Sequence, residues 1–291
     1  INDGHEIIVV DNLLTGSTEN INHLMHNENF SFIEHDVQNH IEIENKVDYV
    51  LHFASAASPK AYTEHPVNTL KAGSVGTINT LGLAKKHDAE YLLASTSEVY
   101  GDPLISPQTE EYWGNVNPNG ERSMYDEAKR FAEAAVATYS RSYDLKTKIV
   151  RIFNTYGPRM QLNDGRVVTN FIVQALKNEN ITIYGDGSQT RSFSYVEDTV
   201  AGIISLMNSS EYDVFNIGNP NEMTVGQLAE KIIELTDSTS EIKYLELPND
   251  DPKQRKPDIT KAKTKLNWEP KVNLEDGLTK TIKWVEGQLS K

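Results

Sequence analysis

A tyrosine and a lysine four residues apart are the residues of this sequence best suited to acid–base chemistry. Tyr125 and Lys129 would share one face of a helix, which brings the ammonium group close to the phenol. A phenol titrates near ~10, and a neighbouring cation lowers that pKa because it favours the phenolate. Such a phenol is suited to removing a proton from a hydroxyl group while a hydride leaves the same carbon.

Two hydroxyl residues and a carboxylate follow a short apolar run about thirty residues before Tyr125. The run Tyr91–Ser95 has the composition of a buried strand, and Thr96, Ser97 and Glu98 come directly after it. Polar side chains at a strand end make the tyrosine–lysine pair a more specific signal than it is alone. We therefore expect all of them in one catalytic site, although Glu98 has a plainer interpretation as an acid that only completes hydrogen bonds at the strand end.

Short apolar runs alternate with longer helical patterns and predict the elements that hold these groups. The runs are apolar on both faces, as in the strands of a covered parallel sheet; they are His5–Val10, Phe30–His35, Asp48–Phe53, Tyr91–Ser95 and Lys148–Phe153. Between them, Pro66–His87 and Ser123–Ser142 have helical spacing. This alternation predicts an α/β fold with a doubly wound, Rossmann-type parallel sheet, whose ligands bind at the carboxyl ends of the strands.

The pattern loosens after Gly157 into loops rich in Gly, Asp and Asn. We predict a dinucleotide-binding domain over residues 1–155 and a smaller substrate lobe over residues 156–291, interwoven with the first domain. The predicted helices of this lobe are Val167–Lys177, Val196–Asn208 and Val225–Leu235.

An aspartate after the first apolar run is a candidate for binding a dinucleotide. An acid at the end of the second strand of a Rossmann fold accepts hydrogen bonds from the adenosine ribose and disfavours a 2′-phosphate, which favours NAD over NADP. Asp11 has that position, and Asp36 follows the next run as a candidate for the adenine edge, although an aspartate after a strand is often only a turn residue. The candidate NAD contacts here are Asp11, Asn12, Thr15, Gly16, Asp36 and Val37.

The glycine-rich loop that binds the pyrophosphate in Rossmann folds has no place in this sequence. That loop lies ~20 residues before the ribose-binding acid, and only ten residues precede Asp11. Gly73 and Gly76 do not replace it, because they fall within a helical pattern that follows no strand directly. We therefore expect the chain to begin inside the first strand–helix unit, with the first strand and the main amide partners of a pyrophosphate missing.

Bulk composition argues against several classes of function. The formal charge of −14 speaks against a nucleic-acid partner, and the absence of cysteine excludes thiol catalysis, disulfides and cysteine-ligated metals. The eight histidines show no metal-binding spacing, so no metal is expected. No apolar run approaches the ~20 residues of a membrane span, and the first residues do not form a signal peptide. A cytoplasmic protein without a membrane partner is expected.

Six longer strings, spread over almost the whole chain, add a resemblance to a known family. They are STSEVYGDP (95–103), NVNPNGERSMYDEAKR (115–130), RIFNTYGPRM (151–160), DGRVV (164–168), YGDGSQTRSFSYVEDTV (184–200) and RKPDI (255–259). The chain resembles the UDP-glucuronate decarboxylases (UDP-xylose synthases) of the extended short-chain dehydrogenase/reductase family. The resemblance implies NAD as cofactor and UDP-glucuronate as substrate. It also implies decarboxylation to UDP-xylose through a 4-keto intermediate, with NAD regenerated in each turnover.

The resemblance further implies roles for individual residues. The implied catalytic groups are Tyr125 as base, Lys129 as the group that tunes it, Thr96, Ser97 and Glu98 around C4 and C5, and Arg255. Arg255 would hold or position the uronate carboxylate, with a surface charge as its alternative interpretation. The implied contacts to the nucleotide sugar are Asn154, Val167, Val168, Tyr184, Gly185, Gln189, Arg191 and Arg255. A plain hairpin turn is the alternative for the residues around Gly185.

The pair Ser97–Glu98 favours decarboxylation over dehydration. Related sugar-nucleotide 4,6-dehydratases carry an Asp–Glu pair at this place, because elimination needs an acid for the departing hydroxyl and a base for the C5 proton. A β-keto acid loses its carboxylate with only enolate stabilisation and a proton at C5, which Thr96, Ser97 and Glu98 are expected to supply. A UDP-sugar 4-epimerase, a related dehydratase and an inactive UDP-sugar-binding fragment stay open as alternatives, the last because the glycine loop is absent.

The two long helical patterns carry more apolar residues than one sheet face needs. In the family such helices pair across a two-fold axis. We therefore expect a homodimer built on Pro66–His87 and Ser123–Ser142.

Overall fold

The computed structural model of the protein describes residues 1–246 and 254–290. Its strands are β1 (Ile7–Asp11), β2 (Phe30–Glu34), β3 (Tyr49–His52), β4 (Glu90–Thr96), β5 (Thr147–Ile152), β6 (Thr155–Tyr156), β7 (Ile181–Tyr184), β8 (Thr190–Ser192), β9 (Ser194–Tyr195), β10 (Val214–Ile217), β11 (Glu222–Thr224), β12 (Ile242–Leu245) and β13 (Gln254–Arg255). Its α-helices are α1 (Pro59–Glu64), α2 (Pro66–Lys71), α3 (Thr77–His87), α4 (Ser123–Tyr143), α5 (Val167–Leu176), α6 (Val196–Met207), α7 (Val225–Leu235), α8 (Thr260–Leu266) and α9 (Leu274–Leu289).

A four-stranded parallel sheet in the order β10–β5–β4–β3 forms the centre of the fold. Strand β10 comes from residues 214–217, so the second half of the chain contributes directly to this sheet. Strands β1 and β2 form a separate parallel pair, and in the described ranges no ladder joins β1 to β3. The predicted α/β class with parallel, Rossmann-type sheets is confirmed, with the sheet divided between β1 and β3.

Helices cover both faces of the four-stranded sheet. On one face α3 and α4 bury Leu81 and Val136 against Tyr91 of β4. On the other face α6 and α8 bury Leu206, and Leu92 of β4 points to that side. Strands β4 and β5 are therefore apolar on both faces, as predicted.

Two of the predicted strands differ from that expectation. Strand β3 buries Val50 and His52 but exposes Tyr49 and Leu51, and β2 is largely exposed. The prediction that every strand is covered on both faces is wrong for β2 and β3, both of which are edge strands of their sheets.

The second lobe has a core of its own. Ile172 of α5, Ile183 of β7, Leu228 of α7 and Leu278 of α9 are fully buried together. The predicted helices α5, α6 and α7 each begin at the expected residue and end within one residue of the expected position. The short strand β13 extends from this lobe towards the carboxyl end of β4.

The predicted helix Pro66–His87 is divided by a π-helical turn, Ala72–Gly76, between α2 and α3. A Cβ atom on Gly73 would lie 2.7 Å from the Cβ of Ala128 on α4. Glycine is therefore needed here for the close approach of the two helices. No helix of residues 1–246 or 254–290 has the length and apolar character of a membrane span.

Candidate active site

The carboxyl end of β4 places Thr96, Ser97 and Glu98 beside α4. A 3-10 turn, Ser97–Tyr100, follows the strand directly, and the Thr96 hydroxyl accepts a hydrogen bond from the Glu98 amide at 3.2 Å. Thr96 and Ser97 are buried. The three side chains predicted from the sequence are therefore held together at one edge of the sheet.

Tyr125 and Lys129 lie in the first two turns of α4, as their spacing predicts. Lys129 Nζ lies 5.9 Å from the centre of the Tyr125 ring and donates to the carbonyl oxygen of Ala94 at 2.8 Å. Tyr125 is hydrogen-bonded to the side chain of Thr96. The ring of Tyr62 stacks on Tyr125 with a centroid distance of 5.3 Å. Tyr62 belongs to α1 and was not identified from the sequence, although α1 follows the carboxyl end of a neighbouring strand.

Burial governs the titration of the tyrosine–lysine pair. It raises the pKa of Tyr125, and the charges of Glu98 and Asp126 raise that pKa too, against the lowering effect of the Thr96 hydrogen bond. Burial also lowers the pKa of Lys129 to about 8. The expectation of a lowered pKa for the Tyr125 phenol is therefore wrong for this structure, because removal of the phenol from water dominates.

Glu98 lies between two guanidinium groups. Its Oε2 accepts hydrogen bonds from Arg122 Nη2 at 2.5 Å and from Arg255 Nη2 at 2.8 Å, and Arg255 also donates to the carbonyl oxygen of Gly101. Burial raises the pKa of Glu98, but the two arginines outweigh burial and lower it to about 2. Glu98 is therefore ionised at neutral pH, and the expectation that it helps to supply the C5 proton is wrong.

The three arginines around this carboxylate differ in exposure and origin. Arg255 is 1% exposed, which excludes its interpretation as a surface charge. It stands opposite Arg191 in the pairing of β13 with β8, and Arg191 also helps to lower the pKa of Glu98. Arg122, whose side chain is 20% exposed, was missed in the sequence, although its position three residues before Tyr125 places both on one helix face.

The predicted NAD contacts lie together at the ends of β1 and β2. Asp11 Oδ1 accepts a hydrogen bond from the Leu13 amide at 2.7 Å, and Asp36 Oδ2 accepts one from Asn12 Nδ2 at 3.0 Å. Asp36 Oδ1 also accepts a hydrogen bond from the Gln38 amide at 2.8 Å, so both acids complete local turns, as their plainer interpretation has it. Within the described part of the chain, Asp11 Oδ2 accepts no hydrogen bond and is available to a ribose hydroxyl. A Cβ atom on Gly16 would lie 3.5 Å from this carboxylate, so glycine keeps the space beside it open.

Two other predicted NAD residues are engaged through their backbone. The carbonyl oxygen of Val37 accepts a hydrogen bond from Asn79 Nδ2 at 2.8 Å, and its side chain is buried against Gly76. The carbonyl oxygen of Thr15 accepts a hydrogen bond from Gln161, which links the loop after β1 to the second lobe.

The predicted nucleotide contacts are distributed over the second lobe. Asn154 follows β5, and its carbonyl oxygen accepts a hydrogen bond from the Ser194 amide at 2.8 Å. Val167 and Val168 begin α5, and Val168 is buried in the core of the lobe. The Val168 side chain is therefore not placed to contact a ligand.

The turn after β7 is the most exposed part of this set. Gly185 has a φ of +76°, Tyr184 is half exposed, and Gln189 Nε2 donates to the Tyr184 carbonyl oxygen at 2.6 Å. No hydrogen bond among the described residues joins this turn to Glu98. The structure thus brings Arg191 to the catalytic cluster and leaves Tyr184, Gly185 and Gln189 at the surface of the lobe.

Comparison with known proteins identifies the family. The family model of the GDP-mannose 4,6 dehydratases matches residues 1–281. UDP-glucuronic acid decarboxylase 1 of Xenopus tropicalis is 53% identical over 287 residues, which are 99% of this chain and 68% of that protein. The chain belongs to the UDP-glucuronic acid decarboxylase family. UDP-glucuronic acid decarboxylase 1 of Arabidopsis thaliana is 52% identical over 282 residues, which are 97% of this chain and 64% of that protein. The chain spans about two thirds of the length of these relatives, and the family resemblance of the six strings is confirmed.

Solved structures of related enzymes share the fold of this family member. A UDP-glucose 4-epimerase with UDP-glucose from Thermotoga maritima is 31% identical, with a TM-score of 0.89 over 99% of this chain and 93% of that one. A dTDP-glucose 4,6-dehydratase from Bacillus anthracis in complex with NAD is 27% identical, with a TM-score of 0.86 over 99% of this chain and 90% of that one. Decarboxylases, epimerases and dehydratases thus share this architecture, and side chains at the site must distinguish them.

Proposed function

We propose that the protein decarboxylates UDP-glucuronate to UDP-xylose through a 4-keto intermediate, with NAD regenerated in each turnover. The observation that carries this proposal is the cluster of Glu98, Arg122 and Arg255 next to Tyr125 and Lys129. The tyrosine–lysine pair serves oxidation at a sugar hydroxyl, and the guanidinium groups serve a carboxylate on the neighbouring carbon. Identity of 53% to UDP-glucuronic acid decarboxylase 1 of Xenopus tropicalis supports this choice over a 4-epimerase.

NAD, when bound, would supply the hydride acceptor for oxidation at C4 and the hydride donor for the later reduction. Asp11 would accept hydrogen bonds from the adenosine ribose through its available Oδ2, and Asp36 with Val37 would border the adenine. Tyr125 and Lys129 would hold the nicotinamide end. Residues 1–155 thus form the main NAD-binding domain, and residues 156–291 mainly bind the UDP-sugar.

Tyr125 takes the proton of the C4 hydroxyl. Burial keeps the phenol protonated in this structure, so the base form requires added stabilisation of the phenolate when the ligands fill the site. With a pKa of about 8, Lys129 is mostly an ammonium at pH 7. After carbon dioxide leaves, the hydroxyls of Tyr125, Thr96 and Ser97 stabilise the enolate and water supplies the proton at C5. Tyr125 then returns its proton to the C4 oxygen when the ketone is reduced.

The arginines attract the uronate carboxylate in a protein whose formal charge is −14. Arg255 is buried and acts by positioning Glu98, whereas the more exposed Arg122 and the neighbouring Arg191 are placed nearer to a ligand. Ionised Glu98 cannot protonate a departing hydroxyl, and Ser97 is no acid. The site is therefore poorly suited to dehydration.

The nucleotide is held by the second lobe. Arg191 and Asn154, with the backbone at the start of α5 near Val167 and Val168, bind the UDP phosphates and ribose, because arginine is suited to bidentate phosphate contacts. The exposed turn with Tyr184, Gly185 and Gln189 approaches the uracil.

The assembly that we propose is a cytoplasmic homodimer. Large apolar side chains are exposed on the contacting helices α2 and α4 and on the π-helical turn, among them Val67, Leu70, Val75 and Phe131. Closed two-fold pairing would bury them. Phe131→Asp should convert a dimer into a monomer by light scattering, whereas Arg141→Asp at the exposed end of α4 should leave it dimeric. A monomeric wild type at micromolar concentration contradicts this assembly.

The activity is tested by incubating the protein with UDP-glucuronate and NAD. Release of carbon dioxide and formation of UDP-xylose, followed by proton NMR, are the expected results. Tyr125→Phe should abolish both, and Tyr139→Phe, also on α4 but away from Glu98, should retain them. Interconversion of UDP-glucose and UDP-galactose without carbon dioxide release would assign the protein to the 4-epimerases instead.

A further inference from the structure

Asp126 is a buried carboxyl group that the proposed chemistry does not use. It is 7% exposed and lies on α4 one turn after Arg122. Its Oδ2 is 3.9 Å from Arg122 Nε, which is longer than a hydrogen bond, and in the described ranges its buried Oδ1 has no hydrogen-bond partner. An ionised carboxylate in such a place is costly, because water is excluded and no donor replaces it.

Among the described residues, the charged and titratable groups that face Asp126 come from three parts of the fold. They are Arg122 at the N-cap of α4 with Tyr125 and Glu127 on that helix, Glu98 in the turn after β4, and Arg255 on β13. Burial and Glu98 raise the pKa of Asp126 to about 7, against the opposing effect of Arg122 and Arg255. An ionised Asp126 offsets one positive charge of the arginines around Glu98, whereas a protonated Asp126 preserves that charge.

We propose that Asp126 is a positioning residue for the uronate carboxylate, acting through Arg122 by taking up a proton from solvent when the substrate binds. Protonation removes the second carboxylate that competes for Arg122, so that its charge serves Glu98 and the incoming carboxylate. This inference rests on the proposed function, since only a uronate brings a carboxylate to this cluster. It predicts that proton uptake accompanies the binding of UDP-glucuronate and does not accompany the binding of a UDP-sugar without a carboxylate.

The direction of the pH dependence follows from linkage. A bound anion raises the pKa of Asp126 above its value in the unliganded protein. At pH values between these two pKa values, Asp126 therefore takes up a proton when the anion binds. Affinity for UDP-glucuronate therefore falls as the pH rises through that window, by up to about tenfold per pH unit. UDP-glucose has no carboxylate, and its affinity should not change in this way.

The test is calorimetric titration of the Tyr125→Phe protein, which binds without turnover. UDP-glucuronate and UDP-glucose are each titrated at pH 7.5 in phosphate and in Tris, whose different ionisation enthalpies reveal proton uptake. Because roughly a quarter of Asp126 is already protonated at pH 7.5, uptake of up to about 0.75 proton is expected with UDP-glucuronate and none with UDP-glucose. Adding Asp126→Asn should abolish the uptake, and adding Glu127→Gln, the neighbouring and more exposed carboxylate, should retain it.

Unchanged uptake in the Asp126→Asn protein, or equal uptake with both ligands, overturns the inference and leaves the proposed function standing. If circular dichroism shows that the Asp126→Asn protein does not fold, the affinities of the Tyr125→Phe protein for UDP-glucuronate and UDP-glucose are measured between pH 6 and 8.5. An affinity for UDP-glucuronate that falls relative to that for UDP-glucose as the pH rises supports the inference, and a constant ratio overturns it. Binding of UDP-glucose without any binding of UDP-glucuronate would overturn the proposed function and the inference with it.

Discussion

Arg255 Nη2 lies 2.8 Å from Glu98 Oε2, although 157 residues separate the two in the sequence. Arg255 comes from the second lobe and Glu98 from the end of β4, so this ion pair joins the two lobes at the site itself. Both guanidinium Nη groups of Arg255 are engaged, by Glu98 and by the carbonyl oxygen of Gly101. A guanidinium group this deeply buried is tolerated only because these acceptors replace its water.

Arg255→Met should therefore reduce both stability and activity. Removing one partner of a buried ion pair typically costs about 3–5 kcal/mol, and we expect the lower end of that range because Arg122 still pairs with Glu98. Urea unfolding and carbon dioxide release measure the two effects. Arg141→Met, at an exposed position of α4, is the matched control and should change the free energy of unfolding by less than about 0.5 kcal/mol. Equal stability of the two variants would show that the Arg255 pair contributes nothing to folding.

Local spacing predicted the part of the site that lies on single elements. Tyr125 and Lys129 share a helix face because they are four residues apart, and Thr96 to Glu98 follow one strand. Tyr62 was missed because its stacking on Tyr125 depends on how α1 returns over the sheet, which no local pattern records.

Electrostatics was predicted less well than position. Spacing alone suggested that Lys129 lowers the pKa of Tyr125, but the sign depends on burial, which is a property of the whole fold. The same holds for Glu98, whose ionisation depends on Arg122 and on an arginine from a distant strand. Composition does not show which strand ends a sheet, so the sequence predicts that β2 and β3 are covered on both faces although both are edge strands.

Two glycines near each other in sequence should respond oppositely to alanine. Gly73 is packed against Ala128, one residue before Lys129, and a Cβ atom there would lie 2.7 Å from the alanine Cβ. Gly73→Ala should destabilise the protein by about 1–3 kcal/mol through overpacking and should also lower activity. Gly82 on α3 has no atom within 4 Å of such a Cβ, so Gly82→Ala should stabilise by about 0.5–1 kcal/mol. Thermal unfolding of both variants tests this, and a loss of stability in Gly82→Ala contradicts it.

Asp11 and Asp36 offer a comparison of two strand-end acids. Asp11 has an oxygen available to a ligand, whereas both oxygens of Asp36 accept hydrogen bonds, from Asn12 and Gln38. In a protein that binds NAD, Asp11→Asn should reduce the preference for NAD over NADP by about tenfold, because a charged acceptor is lost and repulsion of the 2′-phosphate is relieved. Asp36→Asn should change the preference much less. Calorimetric affinities for both cofactors decide, and an unchanged ratio in Asp11→Asn would remove Asp11 from the ribose site.

Two buried lysines should respond in opposite directions to methionine. Lys148 Nζ donates to Glu90 Oε2 at 2.8 Å and to the carbonyl oxygens of Met207 and Ser209 at 2.6 and 2.9 Å, so its charge is compensated. Lys148→Met should therefore cost about 3 kcal/mol, because Glu90 loses its cationic partner and is left with the hydrogen bond from Tyr212. Lys129 has a carbonyl acceptor in Ala94 and no carboxylate within ion-pair distance among the described residues.

Lys129 should weaken folding at neutral pH and support catalysis. Its pKa falls from 10.5 in the unfolded chain to about 8 in the folded protein, which corresponds to a cost of about 3 kcal/mol below pH 8. Between pH 8 and 10.5 the unfolded chain binds more protons at this lysine than the folded protein does. The contribution of Lys129 to the free energy of unfolding of the wild type therefore increases with pH in this range. Lys129→Met removes the cost and one hydrogen bond of about 1 kcal/mol. It should therefore raise the free energy of unfolding by about 2 kcal/mol at pH 7 and abolish activity. It should also remove the increase in the free energy of unfolding that Lys129 causes between pH 8 and 10.5. Urea unfolding at pH 7 and 9.5 measures both quantities. A Lys129→Met protein that is less stable than the wild type at pH 7 would contradict this prediction. It would show that interactions in the folded protein fully offset the cost of burying the Lys129 ammonium.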